Sequence, residues 1–477
     1  MVVRARTTAL VLAPVAALLA LPLSGYAQCE RLPSGIKLLA SDPNTSAELG
    51  SSIALSTDTM IAGAPGAIPL SEPRGEAYIY VYSGGFWTQQ ARILGLHPSG
   101  NFGSAVAFSG GPSTVLIGEP PAGAVYVSNR SGTTWSAPAA LTRTEVLAGD
   151  HFGASIATGS LGLRNTAAIG APGYGGSVSD GGAAFVMTIN TQTVGGWVES
   201  GFVTASDRAT GDEFGTSVGI SGSTMVVGAP MNTNTGGSHA GAAYVFVSNQ
   251  FGGGWTQQAK LAPNDPQAGA YFGWSVAVGG DTIVVGAPRY LVGSIADGRV
   301  YVFTRSGTVW TQHAELLPPV SGGFFGSSVA LSGDRLVVGG TYGTVAGHSV
   351  GTGHIALFSR PPGSGTAGAW TLEDVFAPSD AAHNDSFGTA VSILGTRVAA
   401  GSPQADQGAG DAGAAFIVDI TNPCPADFDC SGGLAVADIF AYLNAWFAGD
   451  PRTDFDGVNG PQVADIFAFL NAWFAGC

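Results

Sequence analysis

Two acidic loops near the end of the chain have the spacing of a calcium-binding loop. Each spans twelve residues, DFDCSGGLAVAD at 427–438 and DFDGVNGPQVAD at 454–465, with aspartates at positions 1, 3 and 12. Calcium takes about six to eight oxygen ligands, and loops of this length supply them at positions 1, 3, 5, 7 and 12. The predicted ligands are Asp427, Asp429, Ser431, Asp438, Asp454, Asp456 and Asp465.

The second loop is the poorer of the two. The first has Ser431 at position 5 and Gly432 at position 6, where the chain must turn sharply. The second has Val458 and Asn459 at these positions. Asparagine tolerates the left-handed conformation, but valine offers no side-chain oxygen. We therefore expect calcium to bind the second loop more weakly.

A nearly identical apolar helix follows each loop. The two stretches, VADIFAYLNAWFAG at 436–449 and VADIFAFLNAWFAG at 463–476, differ only at Tyr442 and Phe469. Helical spacing places five side chains of the first copy on one stripe: Ile439, Phe440, Leu443, Trp446 and Phe447. A helix this short cannot bury such a stripe alone, so we expect each copy to cover the other.

The rest of the chain has no recognisable catalytic motif. None of the seven histidines lies in a metal-binding spacing, and no G-x-S-x-G is followed by Asp and His in the required order. His151 and His383 lie in predicted loops close to Asp150 and Asp385. His–carboxylate pairs are one interpretation of these positions, and solvated loop histidines are the interpretation we favour. We expect no enzymatic activity.

The elements before these loops come from a sevenfold repeat. Its phrase reads LGSSIALS, FGSAVAFS, FGASIATG, FGTSVGIS, FGWSVAVG, FGSSVALS and FGTAVSIL, with successive glycines 50 to 62 residues apart. Each copy continues into a run such as MVVGAP and a third run such as AAYVFV, and most copies add a fourth that starts with Trp. Short runs rich in Val, Ile, Tyr and Phe between turn residues are β-strands. Four strands in each of seven units predict an all-β, seven-bladed β-propeller over 28–421.

The two ends of the predicted propeller complete one blade together. The seventh unit ends with AAFIVDI at Ile420, and no Trp strand follows it. Near the start, GIKLLASDP from Gly35 aligns with QAKLAPNDP from Gln258 of another unit. We therefore expect residues 32–40 to form the outer strand of the last blade.

The first 27 residues are typical of a secretory signal peptide. Arg4 and Arg6 precede an apolar run, and small residues lead to a predicted cut after Ala27. A lipid anchor on Cys29 is the alternative, but Gln28 occupies the place where such a signal has a small residue. We expect a secreted protein that is not anchored by a membrane-spanning helix.

The net charge limits the possible binding partners, and the cysteine content suggests disulfides. The net charge is −15, or −17 once the two arginines of the signal are removed, which argues against nucleic acid and anionic membranes as partners. Four cysteines in an exported chain suggest two disulfides, and they allow three pairings. The four are Cys29, Cys424, Cys430 and Cys477.

The repeat resembles the FG-GAP repeat, which is also found in integrin alpha-chain propellers. The resemblance rests on F-G-x-S-V-A, then V-G-A-P, then A-Y-V-F, and it covers residues 32–420. It implies a propeller with a binding or adhesive role. Calcium-binding integrin repeats carry an acidic D-x-D-G-x-x-D-like loop between the first two strands, whereas the turns here, such as GGDT and SGDR, have at most one carboxylate. The resemblance therefore implies no metal sites on the blades.

The tail at 422–477 resembles a dockerin of the GC type. The resemblance rests on the paired calcium loops and helices, on CPADFDCSGG at the start and on FAGC at the end. It implies a calcium-dependent module that binds a cohesin-like receptor, with near-identical halves that present one surface in two orientations. It also implies a disulfide between Cys424 and Cys477, which leaves Cys29 and Cys430 to pair or Cys430 to stay free. A capping hairpin without a partner is the alternative.

Binding by the propeller itself would use its longer loops. These join the second strand to the third and one blade to the next, so they emerge at the same end of the blades. A face rich in Asp, Asn and Gly that binds a glycan or a protein is one interpretation, and loops that merely vary are the other. We expect a secreted binding or adhesion module. A polysaccharide-active enzyme and a structural wall or matrix protein are the alternatives.

Overall fold

A computed structural model of the chain describes residues 36–420, 436–447, 453 and 462–475. Within these ranges, the side chains at 437, 438, 472 and 475 fall outside the described part. So do the short segments 69–73, 85, 99, 142–145, 163, 177, 190–195, 249–253, 346–347, 349, 362–364, 366–367 and 407–408.

The strands form a seven-bladed β-propeller. Each repeat unit makes one antiparallel sheet whose strands follow one another from the axis outward. Blades 1 to 3 follow strand β1 (Ile36–Leu38). Their strands are β2 (Ser52–Leu55), β3 (Thr59–Ala64), β4 (Glu76–Ser83), β5 (Phe86–Leu94), β6 (Val106–Phe108), β7 (Thr114–Glu119), β8 (Ala124–Ser131), β9 (Thr134–Trp135), β10 (Ala139–Leu141), β11 (Ser155–Leu161), β12 (Arg164–Ala171), β13 (Ala183–Ile189) and β14 (Trp197–Val203). The outer strand of blade 2 is divided into β9 and β10 because Pro138 has no N–H to donate.

Blades 4 to 7 repeat the same order, and blade 5 adds a small hairpin, β21–β22, in its loop. Their strands are β15 (Ser217–Ser221), β16 (Thr224–Ala229), β17 (Ala242–Ser248), β18 (Trp255–Leu261), β19 (Ser275–Gly279), β20 (Thr282–Ala287), β21 (Leu291–Val292), β22 (Ile295–Ala296), β23 (Arg299–Ser306), β24 (Val309–Leu316), β25 (Phe325–Ser332), β26 (Arg335–Gly340), β27 (His354–Ser359), β28 (Thr371–Phe376), β29 (Val391–Leu394), β30 (Arg397–Ser402) and β31 (Ala414–Asp419). The inner strands of successive blades pack on one another, and the last packs on the first, so the ring closes.

The repeated Phe-Gly phrase joins each blade to its neighbour. Gly103 of blade 2 has φ +96°, and its carbonyl lies so close to Gly63 of blade 1 that a Cβ on Gly63 would collide with it. Ser52 of blade 1 donates its hydroxyl to this same carbonyl at 2.7 Å. Four further serines make the equivalent bond to the next blade: Ser155, Ser217, Ser275 and Ser328. The phrase is therefore the contact between blades, and its residues are used structurally.

The outer strand of blade 7 comes from the start of the chain. Strand β1 pairs antiparallel with β31, with Ile36 opposite Ile417 and Leu38 opposite Ala415. Lys37 pairs with Asp380 at 2.6 Å, as Lys260 pairs with Asp207 in blade 4 at 2.6 Å. Lys37 and Lys260 therefore make equivalent ion pairs, as the alignment of GIKLL with QAKLA predicts. Residues 32–35 lie outside the described part.

The tail contains two helices that pack on each other. They are α1 (Val436–Phe447) and α2 (Val463–Ala475), and the rings of Tyr442 and Phe469 stack between them at 4.0 Å. Tyr442 donates its hydroxyl to the carbonyl of Thr453 at 2.8 Å. The one position at which the copies differ is thus the centre of their interface. Among the described residues no helix is long and apolar enough to cross a membrane.

The expected stripe on α1 is wider than the surface that α2 covers. Ile439, Leu443 and Trp446 pack into the cluster around Tyr442, as expected. Phe440 and Phe447, by contrast, are 63% and 79% exposed. The expectation that the twin helix covers the whole stripe is therefore wrong for these two side chains.

Candidate ligand-binding cleft

Of the predicted calcium ligands, only Asp465 has a described side chain. It is fully buried, and its carboxylate accepts the N–H of Gln462 at 2.6 Å at the start of α2. Asp438 lies in α1, but its side chain is outside the described part, as are the whole residues Asp427, Asp429, Ser431, Asp454 and Asp456. The four cysteines, Cys29, Cys424, Cys430 and Cys477, also lie outside it. Calcium binding and disulfide pairing in the tail therefore stay predictions.

The two aspartates near His151 and His383 close their own loops. Asp150 accepts the N–H of Leu147 at 2.8 Å, and the buried Asp385 accepts the N–H of Ala382 at 2.8 Å. His383 bonds through Nδ1 to the carbonyl of Val350. Across the described residues, no group of three or more His, Cys, Asp and Glu is placed to hold a metal ion.

In blades 5 and 6 the turn between the first and second strands uses its single carboxylate for an ion pair. Arg305 donates from Nε to Asp281 at 2.7 Å, and Arg360 donates from Nε to Asp334 at 2.7 Å. Each arginine also lies over a tryptophan of its own blade. In these two blades an arginine therefore neutralises the carboxylate at the position where the calcium-binding integrin repeats have their acidic loop.

The ends of the blades where the longer loops emerge, which we call the loop face, carry a group of acids and histidines. Burial raises the pKa of Glu213, and the charge of Asp180 raises it further, while His151 and His239 act in the opposite direction. Glu213 has a left-handed φ of +54° and precedes the Phe-Gly of blade 4. A carboxylic acid with a raised pKa close to histidines is the arrangement on this face that most resembles an acid–base pair.

A cleft on the loop face lies between blades 5 and 6. Its volume is about 160 Å³. The wall from blade 5 starts at the turn before β19 and at the loop after β20, and the wall from blade 6 starts at the corresponding places. The lining residues are Trp274, Pro288, Arg289, Phe324, Ser327, Thr341 and Tyr342.

Trp274 occupies a position that is structural in five of the six other blades. The residue after the phrase glycine carries a hydroxyl in five blades, where it donates to the carbonyl three residues earlier: Ser51, Ser104, Thr216, Ser327 and Thr389. Blade 5 has Trp274 there, and its ring is 41% exposed. The turn keeps its backbone bond from the N–H of Trp274 to the carbonyl of Tyr271 at 3.1 Å. Blade 5 therefore forgoes one hydrogen bond and places a large aromatic ring in solvent.

The aromatic side chains of the cleft hold one another in place. Tyr271 and Phe324 have left-handed φ values of +57° and +49°, which bulky residues rarely adopt. The Arg289 guanidinium lies over the Tyr271 ring, 5.1 Å from its centre, and the edge of Tyr271 meets Trp274 at 6.2 Å. On the other wall, Phe324 meets Tyr342 at 5.4 Å, and Tyr342 is 42% exposed. The equivalent residue has a left-handed φ in all seven blades, so the exposed aromatic rings on both walls are what mark this as the candidate site.

The sequence prediction for the loop face pointed to Asp, Asn and Gly, and it missed this cleft. The signal was present in FGWSVAVG, where Trp274 replaces a small or hydroxyl residue of the repeat. Comparison of the seven copies at that one position would have identified it.

Part of the chain matches a known repeat family. The residues 35–80, 197–246, 255–303 and 370–418 match the FG-GAP repeat. The propeller therefore contains FG-GAP repeats, matched over these four stretches. No curated protein sequence matches the chain significantly. Among solved structures, Sqt1 of Saccharomyces cerevisiae is similar over 81% of this chain and 99% of its own, with 11% identity and a TM-score of 0.44.

Proposed function

We propose that this FG-GAP propeller is a secreted, non-catalytic binding or adhesion module. It holds its ligand in the cleft between blades 5 and 6 and is attached elsewhere through a calcium-dependent, dockerin-like tail. The observation that carries the proposal is Trp274, an exposed ring at a position where five sister blades have a hydrogen-bonded hydroxyl.

The cleft has the properties of a recognition site. Aromatic side chains give large contact areas at low conformational entropy, and those of this cleft are held by ring contacts within each wall. The walls begin at strands of two blades that are joined by the hydrogen bond from Ser275 to Gly326, so the side chains of the cleft need little ordering when a ligand binds. Ligand sites are mostly apolar clefts with a few polar groups, as this one is.

The tail offers a second surface, which supports its role in attachment. Both helices leave apolar side chains exposed at matching positions: Val436, Phe440 and Phe447 on α1, and Val463, Phe467 and Phe474 on α2. Exposed apolar residues grouped in this way mark protein interaction sites. Because the two sets are equivalent, a cohesin-like receptor would find the same surface twice. Calcium bound by the acidic loops would fix the orientation of both helices.

An enzyme acting on polysaccharide is the second candidate. It is favoured by Glu213, whose pKa is raised by burial and by Asp180 in a group with two histidines. A carboxylic acid that keeps its proton at higher pH is suited to general acid catalysis. The group lies on the same loop face as the cleft, so delivery and binding would be shared by both candidates.

One binding experiment separates the candidates. The full chain and its W274S and E213Q variants are incubated with a panel of insoluble polysaccharides and matrix proteins, and both the bound protein and the released reducing ends are measured. W274S gives blade 5 the residue of three sister blades, so its fold should be unchanged. We expect binding that W274S abolishes and E213Q does not, without release of sugar. Release of sugar that E213Q abolishes would favour the enzyme, and neither binding nor release would favour a structural role.

A second experiment tests the tail. Retention of the full chain on a cell-wall fraction of the organism that produces it is measured with calcium and with a chelator. Retention that calcium restores, and that an F440A/F467A double variant lacks, is the expected result. Retention that changes neither with calcium nor in the F440A/F467A variant would contradict the proposed attachment.

A further inference from the structure

We propose that the cleft between blades 5 and 6 binds a sugar that carries a carboxylate, such as one uronic acid unit of an acidic polysaccharide. This inference rests on the proposed binding function and names its ligand class. It is drawn from the one charged side chain in the cleft, from the exposed rings beside it and from the way the backbone around it is used.

Arg289 is a cation held ready for an anionic ligand. It is exposed, its guanidinium lies on the Tyr271 ring, and it makes no ion pair with any described residue. Other arginines of the propeller are paired with carboxylates: Arg92, Arg299, Arg305 and Arg360. What distinguishes Arg289 is its place in the cleft beside exposed aromatic rings, because Arg130, Arg164, Arg208 and Arg335 also show no ion pair with a described carboxylate. A guanidinium stacked on a ring keeps its planar fork for a carboxylate.

The rings suit the apolar face of a sugar. Trp274 and Tyr342 are 41% and 42% exposed, on the two walls of the cleft. The C–H face of a pyranose packs on an aromatic ring, and its hydroxyls point outward to polar groups. Ser327 donates its hydroxyl to the carbonyl of Phe324 at 2.7 Å, so the lone pairs of its oxygen stay available to a sugar hydroxyl.

The cleft favours a sugar over an acidic peptide. Peptides are usually recognised through main-chain hydrogen bonds. Here the amide groups around the cleft bond inside the protein, including those of Tyr271 to His239, Arg289 to Ala270 and Tyr342 to Gly323, at 3.2, 3.3 and 3.3 Å. At about 160 Å³ the cleft is suited to a single ring and leaves little room for a peptide strand. The recognition it offers is therefore by side chains.

The test compares charged and neutral forms of one glycan on the full chain. Calorimetric titrations use hexamers of galacturonate, glucuronate and mannuronate, each as the free acid and as the methyl ester, and also poly-glutamate. We expect at least one acid hexamer to bind about tenfold or more tightly than its ester. R289Q should reduce the acid to the level of the ester without changing ester binding. W274S should weaken both forms, and higher salt should weaken only the acid.

A matched control removes a different exposed arginine. Arg164 starts β12, at the opposite end of the strands from the loop face, so R164Q makes the same change in net charge. It should bind as the unmodified chain does, and all variants should unfold at the same temperature. If R164Q weakened acid binding as much as R289Q, the effect would be one of overall charge.

The outcomes separate the inference from the function on which it rests. Equal binding of acid and ester, lost in W274S, would overturn the carboxylate and leave the cleft as a site for neutral sugars. Binding of poly-glutamate alone, lost in W274S, would overturn the sugar and leave the binding function. Binding of any probe that W274S leaves unchanged would overturn the cleft as the site and both proposals with it. Failure of every uronate hexamer to bind would overturn the inference.

Discussion

Acid should destabilise the propeller through one buried histidine. His354 starts β27 of blade 6, is fully buried, and has no hydrogen-bond partner for either ring nitrogen within the part of the chain that is described. Its ring lies parallel to Phe325 at 6.4 Å, and a Cβ on Gly340 or Gly343 would collide with it. Protonation would place a positive charge in this enclosed site with nothing to accept its hydrogens.

The size of the effect follows from the pKa. Burial lowers the pKa of His354 from 6.5 to about 4. The folded state therefore binds this proton less readily than the unfolded state, so the stability is present above pH 6.5 and is lost as the pH falls toward 4. With about 1.36 kcal/mol for each pKa unit, the loss between those two values is about 3 kcal/mol.

The comparison is between the full chain and H354A. Four sister blades have alanine at this position, Ala124, Ala183, Ala242 and Ala414, so the change is compatible with the blade. The free energy of unfolding is measured for both proteins in guanidinium chloride, by tryptophan fluorescence, from pH 7.5 to pH 4. Carboxylates titrate alike in both, so the change in the difference between the two proteins isolates His354.

We expect the unmodified chain to lose about 3 kcal/mol more than H354A over this range. H354A should be the less stable protein at pH 7.5, because the ring leaves a cavity, and should approach or pass the unmodified chain at pH 4. If the two proteins lost stability in parallel, His354 would not be the sensor and the reasoning from its burial would be refuted.

Three further predictions concern the ring and the tail. Deleting residues 28–41 removes β1 and exposes the edge of β31, so calorimetry should show a lower unfolding temperature, and an unchanged one would contradict closure. S275A removes the hydrogen bond to Gly326 and should lower the free energy of unfolding by about 1 kcal/mol in denaturant titrations. A105S should raise the free energy of unfolding, because it adds the inter-blade hydrogen bond that blade 2 lacks. The same change in both variants would contradict the role of these serines in joining the blades. Chelation should loosen the tail and leave the propeller transition unchanged, with D427A more damaging than D454A; a shift of the large transition would place calcium in the blades.

The fold was predictable because its signals are local and repeated. Strand patterns recur in each unit, and a four-stranded blade buries its apolar faces only against similar blades, so repetition itself indicates a ring. Closure by the first residues was also visible, because Lys37 stands in the alignment where Lys260 stands in blade 4. The ion pairs of both lysines show why that alignment worked.

The site was harder to predict because loop composition misled. Acidic loops suggest ligand binding, but several of these carboxylates close their own turns. Asp212 accepts the N–H of Ala209 at 2.9 Å and the side chain of Asn232 at 3.0 Å. The cleft, in contrast, depends on Trp274 and Tyr342 of different blades meeting in space, which no local pattern reports. Only the departure of Trp274 from its repeat carried information.

The pairing of β1 with β31 in blade 7 also determines how the molecule responds to tension. Strand β31 leads into the tail, so a pull on an anchored tail enters the ring at this strand. On one side β31 is aligned with three residues of β1, and on the other with six residues of β30. Strands β1 and β31 are also about 380 positions apart in the chain, so their pairing closes a very long loop, at a high cost in chain entropy. Under load the ring should therefore open first between β1 and β31, leaving blades 1 to 6 intact and able to close again.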